Sequence, residues 1–466
     1  MTTTTSQPRI MLHLGLGSFH RAHQAVYIQN LIDSGDETWV LAGGNLRADM
    51  LDLIDALQKQ NGAYTLETVS PSGEHFYQTI DAIRHIIPFD EQLSGLVAMG
   101  ASANTGIISF TVTEAGYYLD DKDQLDFSFS DLTADLNRVK TGAVGYSIYG
   151  ALVTILRARI AAGAGPVTLL NCDNLRHNGR RFRYGLLQFI DQINDTALKA
   201  WVEANTTCPN DMVDRITPRP TDVVRQSIKA ATGVDDPAAL MGERFIQWVI
   251  EENFIAGRPA WEKVGVEMVE SVTPYEEAKI RILNASHSCF AWAGTLKGYS
   301  YIHEGTQDPA IRQLAYDYVT HDVMPCLSPS PLDLAAYRDI VLERFSNEAI
   351  CDTNQRVAMD GFSKIPGYIV PTFRDCIAAG RAFDHVAVLP ALFLTYLQRW
   401  HQGQIAYEYQ DQAMNPAAAH AICDADDVVA AFCADVNLWG GLANDTQLVA
   451  TMRRAYEAVQ VFNTAA

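Results

Sequence analysis

Short apolar runs alternate with amphipathic stretches through the first half of the chain. The run IMLHLGLG, Ile10 to Gly17, is mostly apolar and ends in glycines, and HRAHQAVYIQNLIDSG after it carries apolar residues at helical spacing. This pattern predicts a strand, a glycine turn and a helix. Further apolar runs predict strands at TWVLAGG from Thr38, at TGIISFTVT from Thr105 to Thr113 and at GPVTLLNCDN from Gly165 to Asn174. Strands that alternate with helical stretches predict an α/β architecture around a parallel sheet. ITPRPTDVV, from Ile216, is stiffened by two prolines and predicts a loop. Beyond about Pro274 strand-like runs become rare and stretches such as IRQLAYDYVTHDV and DVVAAFCADV read as helices. Two domains are therefore expected, an α/β domain over 1–273 and a mostly α-helical one over 274–466.

Composition narrows the partners. With 466 residues and 48% hydrophobic content the chain buries a large core, and a formal charge of -20 disfavours nucleic acid and anionic membranes. A neutral small molecule suits that balance. Eight cysteines are scattered singly with no C-x-x-C pair, which predicts free thiols and no zinc site. No run approaches the length of a membrane helix and MTTTTSQPRI lacks an apolar signal core, so a cytoplasmic location is expected. No long heptad pattern is present, and the expectation is a monomer.

Gly15 and Gly17 end a strand and open a helix, an arrangement that lets backbone approach a pyrophosphate in a Rossmann-type dinucleotide-binding fold. The third glycine of that fingerprint is replaced by His20, and a plain structural turn remains the alternative. Phe19, His20 and Arg21 stand beside the glycines as candidate cofactor contacts. His20 and His23 share one side of the helix, but no carboxylate or cysteine sits at a ligand spacing, so no metal is expected. Asp49, in GGNLRADM, is the candidate for the adenosine ribose, with a helix-start aspartate as the alternative.

The stretch YEEAKIRILNASHSCFAW, Tyr275 to Trp292, sets polar residues into an apolar helical pattern. With Lys279 at zero and ~100° per residue, Glu276 falls near roughly 60°, His287 near 80° and Asn284 near 140°. They share one arc with Leu283. Burial can lower the pKa of a lysine in such a setting, which would let it serve as general base for alcohol oxidation, with Asn284 and His287 as donors to the developing alkoxide. The alternative is an ordinary Glu276–Lys279 ion pair with satisfied core polars. A second polar cluster, NCDNLRHNG from Asn171, lies at the C-terminal end of a predicted strand, where ligands bind in open parallel sheets.

Taken together, HLGLGSFHRAHQA, TVTEAGYY, NCDNLRHNG, MVDRITP and KIRILNASHS resemble the polyol-specific long-chain dehydrogenases, the mannitol dehydrogenase family, through nearly the whole chain. The resemblance implies a metal-independent, NAD-dependent sugar alcohol dehydrogenase. It implies Lys279 as general acid-base, Asn174, Asn284 and His287 around the reacting oxygen, Glu276 as proton relay and Asp214 as a substrate contact. Asp49 falls on a position where NAD-preferring members carry an acid, while Ala48 departs where relatives can have a second one. Details such as LETVSPSGEHFYQTI and DTNQRVAMDGFSKIPGYIVPT look closer to the members that oxidise D-arabinitol to D-xylulose. D-mannitol oxidation and hexuronate reduction are the alternatives within the family, with Arg356 and Lys364 as further candidate substrate contacts. A non-catalytic NAD-binding regulator is the alternative outside it.

Overall fold

The computed structural model describes residues 7–120 and 122–464. The chain divides into two compact units, one running up to Val69 and from His75 to Thr273, the other comprising Ser70–Glu74 and Pro274 onward.

The first unit is built on β1 (Arg9–Leu14), β2 (Trp39–Gly44), β3 (Tyr64–Val69), β4 (His75–Ile80), β5 (Ile83–Ile86), β6 (Thr105–Phe110), β7 (Val167–Asn171) and β8 (Thr206–Thr207). Six of these form one sheet in the order β5-β2-β1-β6-β7-β8 with every pairing parallel. That is the doubly wound dinucleotide-binding order, with its switch point between β1 and β6. Its central strands are buried almost throughout, which is why they read as continuous apolar runs rather than alternating ones. Leu12 and Leu14 enter one core with Phe110, Leu152 and Phe182, whereas Met11 enters another with Leu41, Ile107 and Trp248.

Two small sheets complete this unit: β10 (Leu240–Glu243) beside β3 and β4, and β9 (Asp211–Asp214) with β11 (Gln247–Glu251) and β12 (Glu267–Val269). Most of these strands carry no long apolar run, and their pairing depends on partners far along the chain. The proline-stiffened segment is irregular only as far as Thr221, whose hydroxyl accepts from the Val224 N–H and starts a helix at Asp222. The helix expected after the glycine turn is broken. Ser18–Ala22 and Gln24–Asp33 are separated by His23, whose φ of -124° and ψ of -82° are not helical.

The second unit is helical. At its centre, Ala285–Leu296 is buried along most of its length and packs against the helices Ile302–Gln307, Pro309–Tyr318, Asn354–Ala358 and Val388–His401. The helix expected over Tyr275–Trp292 runs from Thr273 to Ala278, widens into a π-helical turn over Lys279–Asn284, and resumes at Ala285. Further π-helical turns occupy Val319–Val323 and Ile365–Ile369. All eight cysteines are free, and no helix among the described residues is long and apolar enough to cross a membrane.

Candidate active site

In the first unit β1 delivers Gly15 with φ +123°, a conformation that excludes ordinary side chains, and a Cβ added at Gly15 or Gly17 would meet nothing within 4 Å. The backbone is therefore open to a ligand at both positions. Asn45, at the end of β2, fixes the turn: its Oδ1 accepts the Leu16 N–H at 2.9 Å. Its Nδ2 donates to the Asp49 carboxylate and carbonyl, both at 3.2 Å. One buried amide thus ties the glycine turn to the exposed candidate acid. Beside it, Leu46, Arg47, Ala48, Phe89 and Tyr118 line a cavity of about 320 Å³.

The residues after the glycines divide. Phe19 is partly exposed and stacks on His23, so it stays available to a ligand. Arg21, expected as a cofactor contact, faces inward instead: it is buried, its Nε and Nη1 donate to the carbonyls of Leu16 and Ala238 at 3.2 and 2.5 Å, and it lies over the Tyr64 ring. It braces the turn from behind. His20 is likewise buried and stacked on His13 with ring centroids 3.6 Å apart, and burial lowers its pKa to about 3. A neutral imidazole in that position offers a phosphate no charge. Among the described residues no group of three or more His, Cys, Asp or Glu is arranged to hold a metal.

At the end of β7 the chain carries buried Asn171 and Asp173 and then exposed Asn174. The Tyr117 hydroxyl donates to Asp173 Oδ2 and accepts from Asn171 Nδ2, and Asn178 Nδ2 donates to the Asp173 carbonyl at 3.3 Å. Burial pushes the Asp173 carboxyl up to about 7. This network anchors the loop that presents Asn174. Asp214, the last residue of β9, is buried.

In the second unit Glu276, Lys279, Asn284 and His287 lie on one continuous helical rod. Glu276 and Lys279 are buried, while Asn284 and His287 are half-buried. In an α-helix Asn284 would stand roughly 140° round from Lys279, but the i→i+5 bonding of a π turn brings the fifth residue most of the way back over the first. The local widening therefore puts amine and amide on a common side. Tyr318, fully buried, holds the turn: its hydroxyl donates toward the carbonyls of Ile282 and Arg281, 3.2 and 3.3 Å away, and can accept from the Ser286 hydroxyl at 2.7 Å. On the turn's other side Arg281 pairs with Glu277 at 2.7 Å and Asp375 at 2.5 Å.

His287 stacks on Phe345, and its Nε2 lies 3.0 Å from Asp352 Oδ2, within ion-pair range although not aligned as a full hydrogen bond. Burial lowers the His287 pKa against the pull of Asp352, so the ring is neutral near pH 7. Burial works to raise Asp352, yet His287 and Arg356 together hold it well below the usual carboxylate range. Arg356 donates to both Asp352 oxygens, at 2.7 and 2.6 Å, and so is tied up rather than free for a ligand. Lys364 Nζ donates to the Val357 carbonyl at 2.5 Å, and burial lowers its pKa to about 8. Asp352 was absent from the sequence candidates. Its one local signal is its place four residues before Arg356 on a helix start.

A profile of the mannitol dehydrogenase Rossmann domain matches residues 9–263, and one of the mannitol dehydrogenase C-terminal domain matches 271–460. The chain is 56% identical to D-arabinitol 4-dehydrogenase of Ralstonia nicotianae, over 98% of this chain and 97% of that one. It is 53% identical to D-arabinitol 4-dehydrogenase of Klebsiella pneumoniae, over 96% and 97%. Among solved structures, the Pseudomonas fluorescens mannitol 2-dehydrogenase ternary complex with NAD and D-mannitol superposes with a TM-score of 0.82 at 34% identity, covering 100% of this chain and 94% of that one. Matches of this extent over both halves mean that the chain belongs to the mannitol dehydrogenase family.

Proposed function

We propose that the chain oxidises a sugar alcohol to a ketose with NAD, the reaction being D-arabinitol to D-xylulose. The observation that carries the reading is the 56% and 53% identity to two D-arabinitol 4-dehydrogenases, against 34% to the mannitol enzyme. In this reading residues 1–273 hold the dinucleotide and contribute Asn174 and Asp214 to the polyol, and 274–466 supply the remaining polyol contacts. Gly15 and Gly17 would hold the pyrophosphate, because the backbone there is open. Asp49 would take the ribose hydroxyls, and the cavity beside Leu46–Ala48 the adenine. NAD, when bound, supplies the hydride acceptor.

The chain's own groups handle the proton and the oxygen. Lys279 Nζ in its uncharged form takes the hydroxyl proton, and Glu276, one turn earlier, passes it on to solvent. The amides of Asn174 and Asn284 donate to the developing alkoxide. Asp352 favours the His287 tautomer with its proton on Nε2, so that, in place of the expected donation to the alkoxide, Nδ1 is left to accept a substrate hydroxyl. Lys364 and Asp214 contact further hydroxyls, with Arg356 keeping Asp352 in place. Hexuronate reduction is the weaker reading, since one of the two candidate cations for a substrate carboxylate, Arg356, is paired with Asp352 and leaves only Lys364. D-mannitol is a weaker substrate, one hydroxymethyl group being worth only ~1 to 3 kcal/mol of discrimination. A cytoplasmic location and a monomeric state complete the proposal.

The test compares D-arabinitol, D-mannitol, D-sorbitol and xylitol by kcat/KM with NAD and a metal chelator present, for the parent and for Lys279→Ala. D-arabinitol should lead, and the variant should lose turnover while keeping NAD affinity. A clear lead for D-mannitol overturns the substrate, and full turnover in Lys279→Ala overturns the mechanism.

A further inference from the structure

Two thiols in the second unit stand apart from the residues so far assigned. Cys326 Sγ and Cys376 Sγ are 3.5 Å apart although 50 residues separate them in sequence. Cys326 lies on the short helix Met324–Leu327 and is partly exposed. Cys376 lies on Val370–Ala378 and is buried, and the two helices pack together. Arg381 Nη2 donates to Cys326 Sγ at 3.4 Å while its Nη1 holds the Pro325 carbonyl at 2.7 Å. The hydrogen bond from Cys376, and then the charge of Arg381, lower the Cys326 pKa, and the same bond pushes the Cys376 thiol well up. The pair thus consists of a partly exposed thiol, more readily ionised and beside a cation, and a buried thiol behind it that holds its proton. That is the division of labour of an attacking and a resolving cysteine.

Both helices are wired to the turn that carries Lys279 and Asn284. Asp375, adjacent to Cys376, pairs with Arg281 inside the turn. The segment leading into Met324–Leu327 is the π turn Val319–Val323, which directly follows Tyr318, the residue whose hydroxyl meets the carbonyls of Arg281 and Ile282. Drawing the two sulfurs from contact to bonding distance moves both supports of the turn.

We propose that Cys326 and Cys376 form a peroxide-responsive thiol pair whose disulfide slows turnover by loosening the Lys279–Asn284 turn; the effect on turnover rests on the function proposed above. The oxidant is a hydroperoxide. Cys326 Sγ attacks the peroxide, an S–O bond forms as the O–O bond breaks, and the released hydroxide or alkoxide takes a proton and leaves as water or alcohol. Cys376 Sγ then attacks the sulfenic sulfur, the S–S bond forms as S–O breaks, and water departs with the Cys376 proton. Two electrons pass from the sulfurs to the peroxide, and a dithiol reductant reverses the change.

The experiment uses the full chain in a Cys351→Ser background, because that exposed thiol adjoins Asp352. Protein treated with hydrogen peroxide is quenched, alkylated and mapped by mass spectrometry, and amide exchange over 279–288 and the rate on D-arabinitol are measured before and after dithiothreitol. The expected result is a Cys326–Cys376 cross-link, faster exchange in the turn and a severalfold loss of kcat, all reversed by dithiothreitol and all absent in Cys376→Ser. Absence of the cross-link overturns the proposal, as does a cross-link that leaves exchange and kcat unchanged. If untreated protein turns over no polyol, it is the functional reading that fails, and the mapping and exchange still decide on the thiol pair.

Discussion

Replacing Tyr318 by Phe removes a single hydroxyl from a fully buried ring and leaves its packing intact. That hydroxyl lies 2.7 Å from Ser286 Oγ and 3.2 and 3.3 Å from the carbonyls of Ile282 and Arg281. Those carbonyls belong to a π turn, where the i→i+4 bonds of a regular helix are displaced, and the tyrosine supplies a donor that the widened turn needs. Leaving such a buried acceptor without its donor costs about 1 to 3 kcal/mol. For a cooperative unit of 150 to 250 residues that corresponds to a fall in Tm of roughly 2 to 12 °C. The chemical effect is larger than the stability effect, because the turn sets the spacing of Lys279 and Asn284, and misplacement by ~1 Å costs on the order of 100-fold. Tyr318→Phe should therefore lower kcat for D-arabinitol by about 10- to 100-fold while the dissociation constant for NAD is unmoved. Steady-state kinetics at a temperature well below the transition, with calorimetry alongside, separates the two. A variant that loses stability but keeps kcat within about twofold of the parent would refute the argument that this hydroxyl sets the catalytic turn.

Asp352→Asn should lower kcat and shift its pH profile, since the carboxylate that raises the His287 pKa is gone and the imidazole falls still further below 6.5; an unchanged profile would separate His287 from the chemistry. Asp173 has a folded pKa raised from 3.8 to about 7, so its contribution to stability is complete below pH 3.8 and is lost as the pH rises through about 7. Asp173→Asn should flatten that fall, measured as Tm against pH. Asp49→Ser should raise kcat/KM with NADP relative to NAD by about tenfold, equivalent to ~1.4 kcal/mol, because a carboxylate that repels a ribose 2'-phosphate is removed; no change would remove Asp49 from the nucleotide site.

The central strands were legible because a parallel strand covered on both faces must be mostly apolar, and Ile10–Leu14, Val40–Gly44, Thr105–Phe110 and Val167–Asn171 are so apart from a few buried polar residues such as His13, Thr105 and Ser109. The helical second half was legible for the same kind of reason, as was the oddity of lysine, asparagine and histidine within one apolar pattern. The small sheets were not legible, since β10 pairs with β3 from more than 170 residues away and neither strand announces its partner. Arg21 was a candidate cofactor contact by its place beside the glycines, but its guanidinium is spent on the carbonyls of Leu16 and Ala238. The angular count from Lys279 to Asn284 assumed a uniform helix, and the turn widens instead, with Tyr318 supplying the hydroxyl. Asp352 meets His287 from 65 residues further along the chain. Periodicity along the chain reports which face each residue turns to its neighbours in sequence. Hydrogen-bond and charge partners are set by which elements pack together, so the elements could be read directly and the register, the orphaned donors and the pairing of the candidate site waited for the tertiary structure.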